Sequence, residues 1–328
     1  LCGGSLMGRT ISCAEAIGEA QRDALRNDPA VILFGENVAA PWRPSTKGLK
    51  EEFGKVRVRD APITETAFIG AGVGAAIAGA KPIVELMLID FGLVAMDQIL
   101  NQMAKTTYMT GGNVNVPMVM RAIYGARGGG AATHSECLYG IYAHMPGMKI
   151  VVPSNPYDAK GLLATAINDP NPVVVFEHVK LTNMEGEVPE DSYSIPFGVA
   201  NLVREGTDVT VVAVGRMVNE AAKAADELKG KISVEVIDPR TLVPLDEEAI
   251  LKSVAKTGRL VVVDEDYERC GFSAEVAAIV AEKGFHNLKA PVARVANPNV
   301  PLPFNKSLEN HVLPDAVKIV RAIKNVMK

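Results

Sequence analysis

DAPITETAFIGAGVGAAIAGAKPIVELMLIDFGLVAMDQILNQMAK, residues 60–105, sets three patterns side by side. An acid, Glu65, opens a segment with no charged side chain between Ala67 and Ala80, in which Gly70, Gly72, Gly74 and Gly79 stand among alanines. Small residues at this density let another backbone approach closely, as at tight helix crossings, so the spacing predicts a helix that needs a partner. PIVELML (82–88) follows as an apolar strand, and 94–107 reads as a helix with Met96, Ile99, Leu100 and Met103 on one face. Local pattern alone explains Glu65 as a first-turn acid after Thr64, favoured by the helix dipole by about 0.3–1 kcal/mol.

The same alternation runs along the chain in both directions. Ser12 and Glu15 form an S-x-x-E capping box at the head of a helix ending near Asn27, and VILFGENV (31–38) is a buried strand. An irregular segment to about 55 contains the only tryptophan, Trp42. VPMVMRAI (116–123) is a strand that runs into GARGGGAATHSE (125–136). That loop lacks the G-x-G-x-x-G spacing of a dinucleotide site. MKIVVP (148–153) is a strand, Asn155-Pro156 opens a helix, and PVVVFEHV (172–179) completes a first sheet. From about 180 to 207 the chain turns polar and acidic without a sustained period, which predicts a linker. Strands at 209–215, 233–238, 260–266 and 292–297 then alternate with helices, including one capped by Asp246 and stopped by Gly258 and a last one from Asp315. Near-continuous Val/Ile strands joined by helices predict mostly parallel sheets covered on both faces by helices. The expected fold class is α/β with two domains, 7–185 and 207–328, joined by a linker at 186–206.

Length and composition agree, since 328 residues suit two domains and 48% hydrophobic against 22% charged residues is ample for buried cores. A net charge of −4 and the absence of any Lys/Arg run argue against a nucleic-acid partner. No uninterrupted apolar run approaches the ~20 residues of a membrane helix. The cysteines at 2, 13, 137 and 270 form no CxxC and no zinc spacing, and read as free thiols in a reducing compartment. LCGGSL at the start resembles a processing remnant or cloning scar, with Met7 a plausible native start.

Five stretches together carry a family resemblance. RTISCAEAI (9–17), DAPITE (60–65), ELMLIDF (85–91), HSECLYGIYAHMPGMKIVVPSNPYDAKGLL (134–163) and VIDPRTLVPLD (236–246) resemble the beta subunit of the thiamine-diphosphate-dependent first component of 2-oxo acid dehydrogenase complexes. The group includes pyruvate, acetoin and branched-chain dehydrogenases, and the match covers nearly the whole chain. The resemblance implies a transketolase-like pyrimidine-binding domain followed by a transketolase-like C-terminal domain. It implies oxidative decarboxylation of a 2-oxo acid, or acetoin cleavage, with acyl transfer to lipoamide.

The resemblance also implies roles for residues. Glu65 would hydrogen-bond N1′ of the cofactor's aminopyrimidine, and desolvation in a water-poor crevice would raise its pKa and suit proton exchange. Phe91 would stack on that ring with Met87 nearby, and His134 would steady the intermediate and assist acyl transfer to a lipoyl arm. Potassium would be held at Met118, Ala166, Ile167, Asp169 and Asn171, around AINDPN. The sequence contains no GDG segment of the kind that holds Mg²⁺ and the diphosphate. An alpha subunit would therefore supply Mg²⁺ and the diphosphate site in an α2β2 heterotetramer that serves a lipoyl-bearing acyltransferase. The expected location is the bacterial cytoplasm, or the mitochondrial matrix or plastid of a eukaryote.

Asp90 and Val94 depart from the pyruvate-type pattern, which usually has Asn and Gln there, so the substrate stays open between pyruvate and acetoin, with a branched-chain 2-oxo acid as alternative. A non-catalytic assembly subunit is the reading from another class, opposed by Glu65, Phe91 and His134 occurring together. His144 and His178 read as structural. Cys270 and Asp264–Asp266 stand at a strand end, where open α/β sheets often bind ligands.

Overall fold

The computed structural model describes residues 8–40 and 43–328. The readings made for residues 1–7 and for Trp42 lie outside these described residues. The chain packs as two compact units, one running to Ile123 and resuming over Met145–Phe197, the other taking Tyr124–His144 and Gly198–Lys328.

In the first unit, strands β1 (Gly8–Ser12) and β8 (Glu185–Pro189) pair antiparallel as a separate ribbon. The main sheet contains β2 (Val31–Gly35), β3 (Val58–Asp60), β4 (Lys81–Leu88), β5 (Val119–Tyr124), β6 (Lys149–Val151) and β7 (Val173–His178). Their spatial order is β6-β7-β5-β4-β2-β3, and the pairs β2/β3, β2/β4, β4/β5 and β6/β7 are parallel. Helix α1 (Cys13–Asn27) starts on the expected capping box: Ser12 N–H donates to Glu15 Oε2 at 2.8 Å, and Glu15 N–H donates to Ser12 Oγ at 3.2 Å. Caps of this kind contribute about 1 kcal/mol. Helix α1 packs against α6 (Pro156–Asn168), which Asn155 caps, and Ile17, Leu25, Leu33, Ile83, Leu162 and Val173 lie in one buried cluster between helices and sheet.

Three segments differ from expectation. The stretch read as irregular to about 55 contains helix α2 (Leu49–Arg57), kinked at Gly54, of which only Leu49 is buried. The single helix expected over 94–107 is three pieces, a 3₁₀ turn at Ile89–Ala95, a π-helical turn at Gln98–Met103 and α4 (Ala104–Met109). Ile99 and Met103 are still buried, because their spacing of four suits an α and a π turn alike. The stretch 186–206 carries most of β8 and, beyond Phe197, β9 (Asn201–Arg204).

The small-residue helix α3 (Glu65–Ile77) lies against β4. At Gly72 a Cβ would sit 2.8 Å from Val84 Cγ2 and 2.9 Å from Met118 Cε, so any larger residue there displaces these side chains. The opposite side of α3 leaves Ala67, Ala71, Gly74 and Ile77 exposed in this chain. An apolar helix that is apolar on all sides is normally buried on all sides.

The second unit contains a sheet of order β14-β13-β10-β11-β9, formed by β9, β10 (Val209–Ala213), β11 (Val234–Asp238), β13 (Leu260–Tyr267) and β14 (Ala293–Asn297). All of its pairs are parallel except β9 with β11. Helices α7 (Arg216–Glu227), α8 (Glu247–Thr257), α9 (Phe272–Lys283) and α11 (Ala316–Val326) follow the predicted βα repeat. Asp246 caps α8 by accepting from Ala249 N–H at 3.0 Å. The short strand β12 (Thr241–Val243) and the helices α5 (Tyr139–His144) and α10 (Lys306–Val312) were not expected from residue pattern. No helix among the described residues is long and apolar enough to cross a membrane.

Candidate active site

Strands β2 and β4 run parallel in register, and their C-terminal ends bring acids together. Gly35 pairs with Glu85, and a Cβ on Gly35 would lie 2.1 Å from the Glu85 carbonyl oxygen, so the two strands touch backbone to backbone. The next residue, Glu36, is locked there: its N–H donates to Glu85 O at 3.0 Å, and its own carbonyl accepts from Arg43 Nη1 at 3.0 Å. Glu36, Glu65 and Glu85 are 5%, 8% and 1% exposed, so this end of the sheet buries three carboxyl groups.

The three are handled differently. Glu85 forms ion pairs with Arg43 Nη2 at 2.7 Å and Arg121 Nη1 at 3.0 Å. Arg121, fully buried on β5, also grips Glu177 of β7 with two hydrogen bonds of 2.6 and 2.9 Å and donates to Gln21 at 2.8 Å. Breaking a buried pair of this kind strands an uncompensated charge at a cost of about 3–5 kcal/mol, which keeps the Arg43–Glu85–Arg121–Glu177 chain together. Glu36 has no such neutralisation. Burial first, then the charges of Glu65 and Glu85, push its carboxyl up to about 7, against the pull of Arg43. Its Oε1 is buried without a hydrogen-bond partner among the described residues.

Glu65 is the first residue of α3, where a carboxylate meets the positive end of the helix. The preceding Thr64 does not cap the helix; its hydroxyl donates instead to Pro62 O at 3.1 Å. Met87 occupies a bulge in β4, where the register with β5 shifts between Glu85 and Met87 and its φ is +72°. Bulges re-aim a side chain beside functional sites, and a left-handed non-glycine residue stores strain that the surroundings must hold. Its N–H donates to Glu85 Oε1 at 3.2 Å, and its sulfur accepts from Asn37 Nδ2 at 3.4 Å. Phe91 is half-buried in the 3₁₀ turn that follows. A cavity of about 150 Å³ adjoins Met87 and is lined in part by Arg43, Ile123, Glu177 and His178. His178 is buried, with Nδ1 accepting from Lys180 N–H at 3.0 Å. Cys13 lines the same cavity, and burial pushes its thiol up to about 12, which makes it unreactive.

His134 belongs to the second unit. It is exposed in this chain, with Nδ1 3.0 Å from the Thr133 hydroxyl, and the next residue, Ser135, is 1% exposed with its hydroxyl unpartnered among the described residues. Asp264 and Asp266 are structural anchors. The Tyr139 hydroxyl and Ser273 N–H donate to Asp264, and Gly140 N–H donates to Asp266 at 3.2 Å. Cys270 is an exposed free thiol.

The residues expected around potassium lie close together at the end of α6 and the start of β5 and β7. Met118 O accepts from Val173 N–H at 3.0 Å and Ala166 O accepts from Asp169 N–H at 3.2 Å. The Asp169 carboxylate is engaged by the Lys149 ammonium on one oxygen, and by Asn171 N–H at 2.9 Å and Nδ2 at 3.2 Å on the other. No group of three or more His, Cys, Asp or Glu among the described residues is placed to hold a metal ion.

Sequence reasoning missed Glu36. The available signal was an acid directly after a buried apolar strand, in VILFGE, at the carboxyl edge where open parallel sheets place their ligands.

The transketolase pyrimidine-binding domain family matches residues 9–184, and the transketolase C-terminal domain family matches 198–319. The beta subunit of acetoin:2,6-dichlorophenolindophenol oxidoreductase of Bacillus subtilis (strain 168) is 49% identical, over 96% of this chain and 96% of its own. The pyruvate dehydrogenase E1 component subunit beta of Rhizobium meliloti (strain 1021) is 43% identical, over 97% of this chain and 70% of its own. The 2-oxoisovalerate dehydrogenase subunit beta of Bacillus subtilis is 40% identical, over 96% and 98%. A solved structure described as a split-gene transketolase, inactive beta4 tetramer, shares the fold with a TM-score of 0.80 at 22% identity, over 97% of this chain and 98% of its own. The two transketolase-type domains in this order, together with near full-length identity above 40% to acetoin and pyruvate dehydrogenase subunits, show that the chain belongs to the beta-subunit family of thiamine-diphosphate-dependent 2-oxo acid dehydrogenase first components.

Proposed function

We propose that this chain is the beta subunit of a dehydrogenase that takes acetoin or pyruvate and passes the acyl unit to lipoamide, with this chain holding the aminopyrimidine half of thiamine diphosphate. The observation that carries the reading is the buried acid cluster of Glu36, Glu65 and Glu85 at the ends of β2 and β4, with one carboxyl oxygen of Glu36 unpartnered. A nitrogen heterocycle that exchanges a proton is a group this arrangement fits. When bound, the cofactor supplies a nucleophilic thiazolium carbon for attack on the substrate carbonyl.

The chain's own residues do the rest. Glu65 holds and exchanges the proton at N1′. Glu36, its carboxyl raised to about 7, is partly protonated at neutral pH and so lessens the negative charge beside Glu65 in a dry site. Met87 and Phe91 flank the ring, where an aromatic face adds about 0.5–1.5 kcal/mol beyond area burial. His134 supplies a proton-transferring imidazole for acyl transfer to the lipoyl arm. An alpha subunit brings Mg²⁺ and the diphosphate ligands, since this sequence has no GDG segment. The exposed small-residue side of α3 suits such a partner. We assign the pyrimidine side of the site to 7–185 and assembly to 207–328.

Potassium would be held by the carbonyl oxygens of Met118, Ala166 and Ile167, with Asp169 and Asn171 beside them. The Asp169 carboxylate already faces the Lys149 ammonium, so it contributes little further charge to a bound ion. Between substrates, the two acetoin-named relatives at 49% and 46% identity favour acetoin. Both subunits of such an enzyme belong in the bacterial cytoplasm, or in the mitochondrial matrix or plastid of a eukaryote.

Reconstitution tests the reading. The full chain, alone and with an alpha subunit bearing GDG, is assayed with thiamine diphosphate, Mg²⁺ and dichlorophenolindophenol on acetoin and on pyruvate. Turnover is expected only with both subunits, and faster with acetoin. Robust Mg²⁺-dependent turnover by the chain alone overturns it.

A further inference from the structure

The loop that carries His134 sits in sequence between two strands of the first unit's sheet, yet it packs within the second. Its attachment there is chemically specific. Gly128 and Gly129 are both left-handed, with φ of +84° and +106°, and their successive N–H groups point to one acceptor. Consecutive amides in such a conformation form a concavity that binds an anion. The anion is the Glu309 carboxylate: Oε1 accepts from Gly128 N–H and Oε2 from Gly129 N–H, each at 2.9 Å. Glu309 is fully buried, and α10 fixes its backbone, its N–H donating to Asn305 O at 2.8 Å and its carbonyl accepting from Leu313 N–H at 3.1 Å.

A second carboxylate holds the loop one turn earlier. Glu265 Oε1 accepts from Ala126 N–H at 3.1 Å, and Ala126 is buried against Leu302 and Leu313. Beyond the histidine, Glu136 O accepts from Gly125 N–H at 3.1 Å, which closes the base of the loop, and Tyr267 hydroxyl donates to Glu136 at 3.3 Å. The C-terminal unit therefore supplies carboxylates to backbone amides that no strand or helix would satisfy.

We propose that Glu309 is a positioning residue: with Glu265 it fastens the 126–134 loop and so sets where the His134 imidazole is presented. The C-terminal unit then serves the reaction as well as assembly. This rests on the role given to His134 above, and the test separates the two.

Glu309→Gln is made in the full chain assembled with its alpha partner, and Glu265→Gln serves as the second variant if the first does not fold. Amide hydrogen exchange across 125–136 is followed by mass spectrometry, with the β10 and β11 peptides as fold control. Losing hydrogen bonds to a charged acceptor should speed exchange in the loop by about ten- to a hundredfold and leave the controls unchanged. Unchanged loop exchange in a folded variant, or equal loss of protection throughout the unit, overturns the fastening.

Lipoamide-dependent turnover is then compared for Glu309→Gln, His134→Ala and the double variant. If Glu309 acts through His134, turnover falls in both single variants and the double variant is no worse than His134→Ala. Additive losses, or a loosened loop with full turnover where His134→Ala is impaired, overturn the positioning role. A His134→Ala enzyme with full turnover would refute the reading of the histidine, and the exchange result would still decide the fastening.

Discussion

Glu36→Gln removes an ionisable group whose proton affinity the fold raises. Its carboxyl moves from an ordinary 4.5 to about 7 because burial, then Glu65 and Glu85, disfavour the charge. That distance corresponds to about 3 kcal/mol as a ceiling, at about 1.4 kcal/mol per tenfold change in proton affinity. The sign follows from proton binding. Below about pH 4.5 the group is protonated in folded and unfolded chains alike, and its contribution is fully present. Between about 4.5 and 7 the unfolded chain ionises while the folded chain does not, so stability falls as pH rises and levels off above 7. Glutamine keeps the shape and cannot ionise, so the variant should lose this slope and unfold several degrees above the parent at pH 8, with little difference at pH 4.5. Thermal unfolding of both proteins at pH 4.5, 6, 7 and 8 measures it. Parallel pH profiles for parent and variant would show that Glu36 ionises normally and that the acid cluster is not the dry site described.

Lys149→Met frees the Asp169 carboxylate. The variant's melting temperature should rise more in KCl than in NaCl, while the parent's should differ little; equal responses would remove the cation reading from Asp169. Gly35→Ala places a Cβ 2.1 Å from Glu85 O at a φ of +138°, and should destabilise the chain by more than about 1–3 kcal/mol. A denaturation midpoint equal to the parent's would mean that β2 and β4 do not meet as described.

The repeating architecture was legible because it is written locally. Val-rich strands, the Ser12–Glu15 box, Asn155-Pro156 and the Asp246 and Asp315 caps each depend on residues within one turn, and the structure has an element at each. Glu65 at the head of α3 was read correctly in place, though its neighbours were not, since Glu36 comes from a different strand end 29 positions earlier. The 3₁₀ and π turns after β4 stayed hidden because apolar spacing does not distinguish them from an α-helix, and the bulge at Met87 leaves no mark in residue type. Helix α2 stayed hidden because it buries only Leu49. The glycine-rich stretch reads as a loop, which it is; its anchors, Glu265 and Glu309, lie 139 and 181 residues from the amides whose hydrogen bonds they accept. No periodicity connects positions that far apart.

The central claim is that Glu65 is the acid that activates the cofactor, and proton exchange at C2 of the bound thiamine diphosphate tests it without requiring substrate. In the assembled enzyme, Glu65→Gln retains shape and hydrogen-bonding reach but cannot exchange the proton at N1′. The account predicts that H/D exchange at C2 falls by at least about 10²-fold, with assembly and cofactor binding retained. Exchange at the parent rate in the Glu65→Gln enzyme would contradict it.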